Sequence, residues 1–173
     1  GVRSFKGIPF AQPPVGDLRW REPQPVKNWP GVRNADTFGA TCMQRLSPNA
    51  DYWFRGDGMS EDCLFLNVWT PAIDGGRRPV LVYMHGGAYA SGSGSSPLYD
   101  GTRLVQRGDV VVVTLNHRLN AFGYLYLDRV ARLQEHQVGV TAWRDAVAIQ
   151  AEDERRRAGN SIEAGTHRLL PGH

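Results

Sequence analysis

The apolar run Pro79-Val80-Leu81-Val82-Tyr83 passes directly into Met84-His85-Gly86-Gly87-Ala88-Tyr89, and this junction constrains the chain more than any other stretch. An unbroken apolar run of this length reads as a strand buried on both faces, as in the sheets of α/β proteins. The small residues that follow let the backbone turn sharply enough to aim two N–H groups at one spot. Acyl transfer requires donors of that kind where negative charge develops. On these residues alone, an anion-holding turn and a plain strand-to-loop connection fit equally well.

Residues 63–69 and 110–115 read as two more short strands, apolar on both faces. A weak helical pattern over 98–107 lies between the second and third runs, and a strand, helix, strand succession favours parallel pairing of the last two strands. Residues 1–30, rich in Pro and Trp with little periodicity, read as an extended segment wrapping over the body. Residues 41–62 read as an irregular loop bracketed by Cys42 and Cys63, the only two cysteines. Toward the other end, Thr141 is placed to cap a helix over 142–158 that stops at Gly159.

Charge and composition exclude several function classes. The net charge of +3 comes from arginines spread along the chain, which does not point to nucleic acid. The one basic cluster, Arg155-Arg156-Arg157, follows Glu152-Asp153-Glu154 at the spacing of helical ion pairs, so a solvated helix face accounts for it. No apolar run approaches the length of a membrane-spanning helix. His and Cys do not occur at ligand spacing, so no metal site is expected.

Four segments in fixed order resemble the type B carboxylesterase and cholinesterase family. They are Gly7-Ile8-Pro9-Phe10-Ala11-Gln12-Pro13-Pro14 with Leu18-Arg19-Trp20, Glu61-Asp62-Cys63-Leu64-Phe65-Leu66-Asn67-Val68-Trp69, the His85-Gly86-Gly87-Ala88 turn, and Asn116-His117-Arg118-Leu119 with Phe122-Gly123. The resemblance covers residues 1–127 and implies the α/β-hydrolase fold, N-terminal portion only, with the first strands of its central mixed sheet. Residues 128–173 depart from the family as a divergent tail.

Several roles follow from the resemblance. Gly86, Gly87 and Ala88 would form the oxyanion hole, with Gly87 and Ala88 donating their N–H groups, and His85 would shape the turn. Cys42 and Cys63, which the residues alone leave as either a bridge or two buried thiols, would form the family's first disulfide. Closing that loop would stabilise the fold by about 3 kcal/mol and implies a secreted or extracytoplasmic protein. Arg19 and Glu61 would form a salt bridge. Trp53 and Tyr89 would face the substrate pocket, Trp53 standing where cholinesterases bind choline by cation–π attraction.

The family's nucleophile sits in a G-x-S-x-G elbow, and none occurs here. The nearest imitation, Gly159-Asn160-Ser161-Ile162-Glu163, lacks the closing glycine and follows a charged run instead of a buried strand. The serine, acid and histidine are therefore expected beyond this chain, which begins inside the family pattern and reads as an N-terminal piece. The expected function is part of a serine carboxylic-ester hydrolase acting on a small-molecule ester, without a cofactor and inactive by itself. The alternative is a non-catalytic, cholinesterase-like adhesion or interaction domain.

Overall fold

The computed structural model describes residues 1–45 and 58–125. The chain divides into two compact units, Gly1–Val140 and Thr141–His173, and the second lies outside the described residues, as does the helix expected over 142–158.

Strands β1 (Arg3–Pro9), β4 (Phe65–Thr70), β6 (Val111–Leu115) and β5 (Val80–Met84) form a mixed sheet in the order β1-β4-β6-β5. β1 and β6 both run antiparallel to β4, while β5 and β6 are parallel, as their helical connection requires. That connection holds a 3-10 turn at Pro97–Tyr99 and helix α1 (Thr102–Gly108), so the helix starts later than the pattern over 98–107 predicts. The reason is local: Asp100 accepts a bond from the Thr102 N–H at 2.9 Å and opens the helix there. Val105 of α1 then packs on Trp69 and Val112 of the sheet. Helix α2 (Asn120–Tyr124) follows β6.

Three expectations change. Residues 3–9 belong to the sheet as its outer strand, not to a wrapping segment. Their register with β4 shifts between Phe5 and Ile8, and the Gly7 N–H turns to Asn67 Oδ1 at 3.0 Å, so the irregularity erases the alternation that marks a strand. A two-residue parallel pairing of β2 (Thr41–Cys42) with β3 (Met59–Ser60) joins the ends of the stretch read as irregular.

β5 is not buried on both faces: every residue in it is exposed, from Tyr83 at 38% to Val80 at 56%. Its only strand partner among the described residues is β6, so it lies at the edge of the sheet they form. The other two runs are not apolar throughout either. Asn67 of β4 lies opposite Thr114 of β6, and its Nδ2 donates to Thr114 Oγ1 at 3.0 Å. Both residues are buried, and Thr114 Oγ1 donates onward to the Gly94 carbonyl at 2.7 Å. The sheet thus carries an internal polar pair that holds the segment following the glycine turn.

Candidate active site

The glycine turn leaves the C-terminal end of β5. Gly87 has φ 128°, and Ala88 and Tyr89 adopt φ 53° and 63°, the left-handed region that side-chain-bearing residues enter at a cost on the order of 1 kcal/mol each. A Cβ at Gly87 would collide with the carbonyl of Ser91, and one at Gly92 with the ring of His85, so both positions require glycine. The Gly87 carbonyl accepts the Ala90 and Ser91 N–H groups at 3.0 and 3.1 Å. Among the described residues, no acceptor takes the N–H of Gly86, Gly87 or Ala88, and all three residues are exposed.

Beneath the turn lie two stacked imidazoles. His85 and His117 have ring centroids 4.3 Å apart, and both are buried. His85 Nδ1 lies 2.9 Å from the Gly86 carbonyl, so the ring buttresses the first residue of the turn. Burial is the main cause that pushes the His85 pKa down to about 4, with the neighbouring His117 adding to the shift and the Gly86 carbonyl opposing it. A neutral ring at neutral pH follows, which suits a structural role. His117 Nδ1 in turn lies 3.0 Å from the Tyr124 hydroxyl. Tyr124 packs against Tyr89, a residue of the turn that is 67% exposed. Trp53 lies outside the described residues, as does Ser161.

Both residue pairs expected from the family resemblance form. Cys42 and Cys63 are joined by a disulfide. Arg19 grips Glu61 with two bonds, Nε to Oε2 at 2.5 Å and Nη2 to Oε1 at 3.0 Å, and this partnership raises the Arg19 pKa. Arg118 Nη1 donates to the carbonyls of Arg19 and Arg21 at 3.1 and 2.9 Å, which ties the N-terminal segment to the end of β6.

Amide side chains organise the segment after the turn. Asn116 Oδ1 accepts from the Gly94 N–H at 2.8 Å and the Ser93 hydroxyl at 3.1 Å, while its Nδ2 donates to the carbonyls of Ala40 and Cys63. Gln44 and Asn120 reach the turn itself. None of these amides was visible as a site residue in the sequence, since a lone Asn or Gln has no periodic or spacing signature. Among the described residues, no group of acidic, His or Cys side chains is arranged to hold a metal ion, and no helix is long and apolar enough to cross a membrane.

A profile described as the Carboxylesterase family matches residues 1–133. The chain belongs to that family. It is 41% identical over 140 residues to the para-nitrobenzyl esterase of Bacillus subtilis, spanning 81% of this chain and 29% of that protein. Mouse cholinesterase is 39% identical over 130 residues, 72% of this chain and 22% of its own length. Among solved structures, the carboxylesterase EST55 of Geobacillus stearothermophilus superposes with a TM-score of 0.71 at 47% identity, covering 85% of this chain and 29% of that one. The mixed sheet is accordingly an N-terminal portion of the α/β-hydrolase fold, and the chain spans less than a third of the length of these relatives.

Proposed function

We propose that this chain supplies the oxyanion hole of a serine carboxylic-ester hydrolase, with Gly87 and Ala88 as the N–H donors and Gly86 setting the entry to the turn. The observation that carries this reading is the exposed turn itself, whose three N–H groups meet no acceptor among the described residues while its backbone is held in a strained conformation. Donors left open in this way have little use in a purely adhesive surface, but they are what a tetrahedral intermediate requires. The nucleophilic serine, its histidine base and the acid that orients it come from sequence beyond the family match. The serine would attack the carbonyl of a small-molecule ester, the turn would take the resulting negative charge, and water would release the acid. No cofactor enters that sequence of steps. Residues 1–127 form the hydrolase portion in this reading and 128–173 a separate tail. An oxidising, extracytoplasmic compartment belongs to the same proposal, and the Cys42–Cys63 disulfide supports it.

Two preparations test the reading. The 173-residue chain alone should hydrolyse p-nitrophenyl acetate no faster than buffer, because electrostatic stabilisation without a nucleophile makes no acyl-enzyme. A chimera joining residues 1–125 to the remainder of EST55 should hydrolyse the same ester and lose that activity to a serine-reactive phosphonate. A folded, monodisperse chimera without activity would contradict the proposal, and phosphonate-sensitive hydrolysis by the chain alone would reveal a nucleophile within it.

A further inference from the structure

We infer that Gln44 and Asn120 are positioning residues that clamp the 86–92 turn in its donor-presenting shape; this rests on the oxyanion reading above. Within itself the turn has little to hold it. Its internal bonds converge on one carbonyl, that of Gly87, and Ala88 and Tyr89 are both in the left-handed region. A backbone so strained persists only where its surroundings over-determine it.

Two amides do so from outside. Gln44 Oε1 accepts the Gly92 N–H at 2.8 Å and its Nε2 donates to the Gly92 carbonyl at 2.9 Å, so one side chain pairs with both backbone groups of Gly92 as a neighbouring strand would. The same Nε2 reaches the Cys42 carbonyl at 3.1 Å. Asn120 acts three residues earlier: its N–H donates to the Tyr89 carbonyl at 2.9 Å and its Nδ2 to the Ala90 carbonyl at 3.0 Å. Its Nδ2 also lies 3.4 Å from the Met43 carbonyl.

Both amides therefore join the turn to residues 42–43, and that segment is itself fixed by the Cys42–Cys63 disulfide and the β2–β3 pairing. The turn is gripped at 89–90 and again at 92, while the N–H groups of Gly87 and Ala88 stay open. The chemistry of the clamp suits the site. A carboxylate in either place would oppose the negative charge the turn is meant to receive, and a lysine could not accept the Gly92 N–H. Asn120 has a left-handed φ of 54°, a region that asparagine enters more readily than most side-chain-bearing residues.

Hydrogen exchange of the full 173-residue chain, read residue by residue by NMR in Gln44→Ala and separately in Asn120→Gly, tests the clamp. Glycine at 120 removes the amide without adding backbone strain. The inference expects the Ala90 and Ser91 amides, whose bonds lie inside the turn and touch neither clamp side chain, to exchange about tenfold faster or more in each variant. Amides paired between β4 and β6 should keep their wild-type rates. If only Gly92 accelerates in Gln44→Ala, the turn holds itself and the clamp is refuted. Acceleration throughout the sheet also overturns it, because the residues would then be general supports of the fold. Exchange is read without substrate, so a clamp that passes beside an inactive chimera condemns the oxyanion reading alone, and the reverse result condemns the clamp alone.

Discussion

Gly87→Ala in the chimera with EST55 is expected to lower kcat by about 100- to 1000-fold, the loss typical of removing an oxyanion donor. The added methyl has nowhere to go, because at φ 128° it would strike the carbonyl of Ser91. The turn must relax, and the N–H groups of Gly87 and Ala88 move with it. These donors meet full negative charge only in the transition state, so the change belongs in kcat and leaves KM within a few-fold. Steady-state kinetics on a short-chain ester checks it. A kcat close to that of the unsubstituted chimera would mean that the charge is held elsewhere. A fall in soluble yield with unchanged kcat per active site would assign Gly87 to folding alone.

Acid should weaken the folded chain through His85. Its pKa is about 4 in the fold against 6.5 in an unfolded chain, mainly because burial penalises the charged ring. Between those two values the unfolded state binds a proton that the folded state refuses, so stability falls as pH falls. The contribution is fully present above about pH 6.5; it is reduced by about 2 kcal/mol at pH 5 and by about 3 kcal/mol near pH 4. Urea unfolding at a series of pH values, compared with His85→Phe, isolates it from the carboxylates that titrate in the same range. The two curves should diverge as pH rises from 4 to 6.5 and run parallel above it. Parallel curves throughout would show that the ring takes up its proton as readily in the fold as in the unfolded chain, and that burial does not hold it neutral.

The parts of this fold that could be read in the sequence are those made by local repetition. The runs at 79–84 and 110–115 became β5 and β6, and the helical stretch between them set their parallel pairing. β1 escaped because its bulge at Gly7 breaks the alternation, and the bond from Gly7 to Asn67 that causes the break spans 60 residues. β5 is apolar as read, and it is exposed because no strand pairs beyond it among the described residues.

The turn at 86–88 was legible as a turn because glycines in sequence mark one, yet what keeps it in shape was not. Gln44, Asn116 and Asn120 act through bonds to carbonyls and N–H groups that any residue could present, so nothing in their neighbours announces the partnership. Cys42 and Cys63, like Arg19 and Glu61, were paired in advance only through resemblance to the family. Spacing alone leaves such pairs undetermined, since it does not say which way a loop folds back.

The most direct measurement is the crystal structure of the chimera after reaction with a serine-reactive phosphonate, whose phosphoryl oxygen stands where the oxyanion forms. The account predicts that oxygen within about 2.7 to 3.1 Å of both the Gly87 and the Ala88 backbone nitrogen. An oxygen pointing to solvent, or bonded to donors outside the 86–88 turn, would contradict it.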